Sequence, residues 1–179
     1  MGISADFGRV LHRLGEQQDE TLVIVKVGEV LASQYEFDKG ERWAWGSSES
    51  GYEEGIVGVL VADAPFTLCT PDGTTRIVPP GTFCFVHPDF PIQTVGRSRG
   101  RSLGAWIPRE ALDASGLNFP VVSMALPRGI LADGVRAFLS ALLAGPVDDS
   151  GSAQAEYLLT EMVVGLLADA VAGRPRRRP

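Results

Sequence analysis

The sequence is poor in the residue types on which most metal and cofactor chemistry depends. It has two histidines, His12 and His87, in 179 residues, and no His-x-His pair. A redox-metal site needs three or four converging ligands, for example two histidines and one carboxylate. Because His12 falls on a predicted helix, one histidine is left for the rest of the chain, and a lone histidine makes a poor transition-metal site. We therefore predict no metal, no cofactor and no catalytic residue.

Several other patterns are also missing. The chain contains no G-x-x-x-x-G-K-[ST] and no C-x-x-C motif. No apolar run approaches the roughly 18 residues of a membrane span, and the N-terminus has no signal-peptide pattern. Cys69 and Cys84 are the only cysteines, and without a secretory signal they are expected to be reduced core residues. We predict a cytoplasmic protein that is not an enzyme and does not contact a membrane.

Positive charge is scarce except at the end of the chain. The formal net charge is −6, from 16 basic and 22 acidic residues. Four of the arginines lie in the last six residues, RPRRRP, so the rest of the chain is strongly acidic. An acidic surface does not attract a polyanion, which argues against nucleic-acid binding by the body of the protein.

Short β-favouring runs separated by proline and glycine fill the first two thirds of the sequence. In the segment 66–91, two runs flank the turn Pro71-Asp72-Gly73, and Pro79-Pro80-Gly81 stops the second run. Proline removes a ladder donor and glycine accepts positive φ, so each pattern ends a strand. Between Thr21 and Ile107 we predict about nine strands, a number and spacing typical of a sandwich or barrel.

Two segments of helical period follow the strands. Residues 129–144 and 153–172 each carry apolar residues at three- and four-residue steps, and Gly145-Pro146 separates them. The predicted fold class is mainly β with C-terminal helices, a jelly-roll β-barrel followed by a helical hairpin. We predict an N-terminal helix and barrel in residues 1–107, a helical dimerisation subdomain in 108–173 and a basic linker in 174–179.

Four motifs occur in a fixed order along the chain. They are Asp72-Gly73, Pro79-Pro80-Gly81, the segment His87–Pro91 and Ile107-Pro108-Arg109-Glu110-Ala111-Leu112. This order, with the two helices after it, resembles the N-terminal effector-binding and dimerisation domain of AraC-type transcription regulators, whose barrel is cupin-like. The similarity extends from about residue 8 to residue 171. The family often has an acidic residue directly after the glycine of its Pro-Gly step, whereas this chain has Thr82.

The resemblance implies a ligand-sensing domain that binds a small-molecule effector, forms a homodimer and reaches DNA only through a C-terminal part not present in this chain. The family's helix-turn-helix motifs follow this domain, and nothing after Ala172 could form them. The chain is then expected to be a fragment of a longer regulator, with RPRRRP as its linker. The alternatives are a free-standing cupin-like enzyme and a scaffold whose barrel is packed solid.

The barrel interior is the expected site for the effector. Side chains two residues apart on a strand share one face, which groups a Trp-x-Trp pair and a Phe-x-Phe-x-His run. The same aromatic side chains are also compatible with a packed core, and the arginine with a solvent-exposed loop. The predicted ligand-binding residues are Trp43, Trp45, Phe83, Phe85 and His87 from the strand pattern, and Thr94, Arg101 and Leu103 from the resemblance.

The last helix is the expected dimer interface. Its apolar stripe is too broad to be covered by the preceding helix alone, so it needs either the barrel or a second subunit. Packing on the barrel of the same chain is the alternative explanation. The predicted dimer seam consists of Leu159, Met162, Val163, Leu166 and Ala170.

Overall fold

The computed structural model describes residues 22–45, 56–86, 92–116, 125–126, 129–145 and 149–172. The described residues form ten strands and three helices. The predicted N-terminal helix, the loop 46–55, both histidines and the basic linker lie outside them. The strands are β1 (Leu22–Val27), β2 (Val30–Phe37), β3 (Arg42–Trp45), β4 (Ile56–Ala62), β5 (Phe66–Cys69), β6 (Thr75–Val78), β7 (Phe83–Val86), β8 (Ile92–Gly96), β9 (Gly100–Pro108) and β10 (Ala125–Leu126). The helices are α1 (Arg109–Asp113), α2 (Ile130–Ala144) and α3 (Asp149–Ala172).

The strands form two antiparallel sheets. The large sheet has the order β1-β2-β9-β4-β7-β10, and the small sheet has the order β3-β8-β5-β6. Each strand alternates its side chains between two faces, so the sheets can stack with one face inward. A mainly β fold with C-terminal helices is therefore confirmed. Among the described residues, no helix is both long and apolar enough to cross a bilayer.

The large sheet is buried on both faces, as β4 shows most clearly. Val57, Val59 and Val61 belong to one hydrophobic cluster, whereas Leu60 and Ala62 belong to another. The continuous apolar run of β4 predicted this double burial, and the prediction is confirmed. The cluster between the two sheets is called the inner core here, and it contains Leu31, Phe37, Leu60, Ala62, Ala64, Phe66, Leu68, Val78, Cys84, Val86, Ile92 and Trp106.

The second cluster, called the helix core here, joins the outer face of the large sheet to the helices. Helix α2 packs on β1, β2 and β9, and α3 packs on α2, α1 and β1. The helices supply Ala132, Val135, Leu139 and Leu142 from α2, with Leu159, Val163, Leu166 and Leu167 from α3. The molecule thus has three layers, in the order helices, large sheet and small sheet.

The helix core corrects the predicted dimer seam. Leu159, Val163 and Leu166 are at most 4% exposed and pack within their own chain. Met162 and Ala170 are partly buried and pack against the same cluster. These five side chains therefore pack within their own chain, as the alternative explanation expected. The side chains of α3 that remain exposed include Tyr157 and Leu158.

The β1–β2 turn links the large sheet directly to the start of α3. Gly28 adopts φ +60°, as a two-residue hairpin turn requires, and its N–H donates a hydrogen bond of 2.8 Å to Ser152 Oγ. A Cβ at Gly28 would lie 1.9 Å from Glu156 Oε2. A side chain at this turn would therefore require the Glu156 side chain to move, in addition to the strain of the positive φ.

Replacement of Leu166 by glutamate distinguishes a core position from a dimer seam. Leu166→Glu buries a carboxylate in the helix core, and we expect loss of the cooperative unfolding transition, corresponding to at least about 4 kcal/mol. The control Leu158→Glu places the same charge on the exposed side of α3 and should change the free energy of unfolding by less than about 1 kcal/mol. Circular dichroism with sedimentation velocity checks both variants. A Leu166→Glu protein that stays folded while a wild-type dimer becomes monomeric would contradict the placement.

Candidate functional site

The inner core is the candidate site because it contains the polar side chains buried deepest in the fold. Within the described part of the chain, Ser33 and Thr94 are the only polar or charged side chains in the buried class. Ser33 lies on the large sheet and Thr94 on the small sheet, and both face the space between the sheets. Apolar side chains make up the rest of the inner core. Hydroxyl groups in such surroundings must find partners within the protein or in a bound molecule.

Thr94 lies at the centre of the small sheet. On β8 it is paired directly with Trp43 of β3 and with Leu68 of β5, and paired residues share one face of a sheet. Thr94 is 4% exposed, and its Oγ1 has no hydrogen-bond partner in the part of the chain that the structure describes. An unpaired buried hydroxyl costs about 1–3 kcal/mol. Thr94 therefore has an unmet hydrogen-bonding capacity that points into the inner core.

Ser33 is held by a tryptophan on the neighbouring strand. The indole N–H of Trp106 donates a hydrogen bond of 2.9 Å to Ser33 Oγ, and both residues are buried. Two strand glycines make room for this pair. A Cβ at Gly104 would lie 2.7 Å from Ser33 Oγ, and a Cβ at Gly58 would lie 2.8 Å from Trp106 Cζ3. Any larger residue at either position would push the indole out of place.

Three aromatic side chains and one carboxylate form the rim of the inner core. Trp43 makes edge-to-face contacts with Tyr35 and Phe37, at centroid distances of 4.3 and 5.2 Å. Glu41 accepts hydrogen bonds from the Tyr35 hydroxyl, from the Trp43 indole N–H at 3.3 Å and from the Asp38 backbone N–H at 2.8 Å. The Glu41 carboxylate is thus already engaged at the rim.

Two titratable groups show the character of these surroundings. Partial burial on its own raises the pKa of Glu41, but the hydrogen bonds from Tyr35, Asp38 and Trp43 outweigh it and hold the pKa below its ordinary value. Burial raises the pKa of the Cys84 thiol to about 12, because the inner core does not solvate a thiolate. Both cysteines are free thiols, with Cys84 buried and Cys69 half-buried.

Four of the predicted ligand-binding residues face away from the inner core. Phe83, Phe85 and Leu103 belong to the helix core, because they alternate with inner-core residues on β7 and β9. The Arg101 side chain is 52% exposed, and its Nε lies 3.7 Å from a carboxylate oxygen of Asp63. The exposed-loop alternative for Arg101 is therefore the arrangement found. These placements correct the sequence-based site, which did not distinguish the two faces of the large sheet.

Trp43 and Thr94 are the two predicted residues that the structure brings together at the inner core. Trp45 pairs with Ile92 in the β3–β8 register, and His87 lies outside the described residues. A ligand-binding role for Trp43 and Thr94 stays a prediction. Sequence reasoning missed Ser33, Tyr35 and Trp106. The glycine two residues before Trp106 was an available indication, because glycine inside a strand often marks a close approach.

Potential metal ligands do not cluster in the part of the fold that is described. There, no three side chains of the His, Cys, Asp or Glu types lie close enough to hold one ion together. The absence of metal and catalysis stays a prediction, since both histidines are outside the described residues.

Known structures share this fold over most of the chain. The AraC-like transcriptional activator CuxR superposes with a TM-score of 0.70 at 18% identity, covering 88% of this chain and 58% of that one. Apo ToxT K231A from Vibrio cholerae strain SCE256 gives a TM-score of 0.59 at 8% identity over 80% of this chain, and ToxT from Vibrio cholerae O395 gives 0.53 at 6% identity over 88%. No protein-family model and no curated protein sequence matches the chain.

These likenesses confirm the resemblance at the level of the fold, a cupin-like β body with C-terminal helices. They cover 80% to 88% of this chain. The chain spans 58% of the length of CuxR and 56% of the length of either ToxT structure.

Removal of the Thr94 hydroxyl is expected to stabilise the protein. Thr94→Val keeps the side-chain shape and removes the unpaired oxygen, so the free energy of unfolding should rise by about 1 kcal/mol. Thr67→Val is the matched control, because Thr67 lies on the outer face of the adjacent strand and is half-buried. It should change stability by at most about 0.5 kcal/mol. Urea denaturation measures both, and a destabilised Thr94→Val protein would mean that Oγ1 has a partner.

Acid is expected to remove the stabilisation that comes from Glu41. Because the folded state lowers the pKa of Glu41, its contribution is complete above the ordinary glutamate value of about 4.3 and is lost as the pH falls through the folded value. The difference in Tm between wild type and Glu41→Gln should therefore shrink between pH 7 and pH 3. Thermal unfolding across that range checks this, with Glu36→Gln as a control at an exposed ion pair. A constant difference would contradict it.

Proposed function

We propose that this chain is the ligand-responsive part of a transcription regulator of the AraC type. The inner core is the site for a small-molecule effector, and the helices carry the effect of binding to the rest of the regulator. The observation that supports this most directly is the likeness to CuxR, which covers 88% of this chain. CuxR is an AraC-like transcriptional activator, and the proposal extends that general role to this chain.

The large sheet gives a physical route from the inner core to the helices. Leu60 and Val59 are adjacent on β4, yet the first packs in the inner core and the second in the helix core. Closely packed side chains transmit small displacements, because the interior has little free volume. A ligand that shifts the inner-core face of the sheet would therefore strain the packing of α2 and α3 on its other face. Such coupling requires the ligand to bind one arrangement of the helices more tightly than another.

Homodimer formation, DNA contact through another part of the regulator and a cytoplasmic location belong to the same proposal. The stripe of α3 first expected to form the dimer seam is buried in its own chain, so a dimer would use other residues. We also propose that the chain has no enzymatic role. Stoichiometric iron, zinc or manganese in the purified protein would reopen the enzyme hypothesis.

A packed scaffold is the second candidate, and one observation favours it. The inner-core side chains are at most 8% exposed, and the Thr94 hydroxyl is out of contact with solvent. A barrel of this kind has just enough interior to be filled by its own side chains. A scaffold would hold the helices in place without responding to any small molecule.

A fragment library of shape-matched neutral and anionic compounds separates the two candidates. We expect some members to raise the Tm of the full chain and to shift the indole N–H resonances of Trp43 and Trp106. Amide hydrogen exchange should then slow in α2 and α3 as well as in the small sheet, because binding is coupled across the large sheet. Protection confined to the sheets would contradict transmission to the helices, and a library without any binder would favour the scaffold.

A further inference from the structure

Resting on the proposed function, we propose that the inner core binds a neutral molecule with an apolar body and one hydrogen-bonding group, and that this group pairs with the Thr94 hydroxyl. The proposal names a chemical class and an anchoring residue. An alcohol, an amide or a ketone of small size has the required chemistry. A carboxylate or a phosphate does not.

Thr94 is the anchor because its hydroxyl is costly to keep without a partner. Its Oγ1 is buried and has no hydrogen-bond partner among the described residues, although valine would fill the same space. The neighbouring positions on both paired strands are hydrophobic, Trp43 on one side and Leu68 on the other. A hydroxyl can both donate and accept, so it suits a carbonyl, a hydroxyl or an amide on the ligand.

A second hydroxyl lies on the facing sheet. Ser33 accepts the hydrogen bond from the Trp106 indole, and within the described residues no hydrogen bond given by the Ser33 hydroxyl itself is found. The indole orients Ser33 Oγ, so the serine proton is directed away from Trp106 and can be donated. Thr94 and Ser33 are the two buried polar side chains in the described part of the chain, and they lie on facing sheets, each on the side of the inner core.

The charges around the inner core exclude an anion. Transfer of a carboxylate into apolar surroundings is very unfavourable unless a cation or several donors receive it. The nearby arginines are at the surface: Arg101 at the start of β9 pairs with Asp63, Arg99 of the β8–β9 turn pairs with Glu36, and Arg97 of the same turn is exposed. The Glu41 carboxylate accepts a hydrogen bond from Trp43 at the rim, where it would repel a second negative charge.

Entry requires the rim aromatics to move, since the inner core is closed in this structure. Trp43 and Tyr35 are half-buried, whereas the inner-core residues behind them are buried. Trp43 is directly opposite Thr94 on the neighbouring strand. A ligand that displaces the indole from this position would therefore come within reach of the Thr94 hydroxyl.

Matched pairs of probes test both parts of the proposal. Benzyl alcohol and benzamide are compared with benzoate, and hexanamide with hexanoate, by isothermal titration and by the Trp43 and Trp106 indole resonances. We expect the neutral members to bind and the anions to bind at least about tenfold more weakly. Thr94→Val should weaken the neutral probes by about three- to tenfold, the worth of one hydrogen bond. Thr94→Ser keeps a hydroxyl and should retain binding, and Thr67→Val should match the wild type.

Each contrary outcome has a distinct meaning. If the anions bind and the neutral probes do not, the ligand class is wrong, while a ligand-responsive inner core stands. If the neutral probes bind equally well to wild type and Thr94→Val, Thr94 is not the anchor and the proposal fails in that part. If neither member of any pair binds, this proposal is overturned, while the proposed function is decided separately by the fragment library.

Discussion

The architecture depends on one constraint, namely that the large sheet has two apolar faces and water must be kept from both. Along β4 the side chains alternate between the inner core and the helix core, so neither face can be left bare. Burial of apolar surface contributes about 25 cal/mol per Å², and it is what holds the small sheet and the helices in place. The helices are therefore an integral part of the fold, because they close the core that the strands begin.

The same burial explains why the candidate site is so sparse in polar groups. Among the described residues, the hydroxyls of Ser33 and Thr94 are buried in this interior, and the Glu41 carboxylate lies beside it. In an apolar interior, a polar group without a hydrogen-bond partner is costly. A ligand that supplies the partner is therefore strongly favoured over one that does not. A site of this kind recognises a molecule by shape and by one polar group. The Cys84 thiol illustrates the point, since its burial raises its pKa to about 12.

The sequence predicted the positions of the strands and helices well, but it did not predict which layer each face of a strand packs against. The Pro and Gly punctuation placed nearly every strand, and the helical periods placed α2 and α3, because these signals are local. Assignment of Phe83 and Phe85 to the wrong core came from a different source. Alternation along a strand groups side chains but does not say which group faces which layer, and in a sheet covered on both sides the hydrophobicity is similar on each. Ser33 was missed for a related reason, since its role depends on Trp106, which lies 73 residues away.

The hairpin turns at Gly28 and Gly73 differ in how well they would tolerate an insertion. The β1–β2 turn at Gly28 is enclosed by α3, so a break or an insertion there would loosen the attachment of the helices to the barrel. The β5–β6 turn at Gly73 has open space around it and is closed by its own Asp72, which accepts hydrogen bonds from Thr70 and Thr74. A peptide tag, a fluorophore or new chain termini therefore belong at the second turn, where they would report on the small sheet from outside.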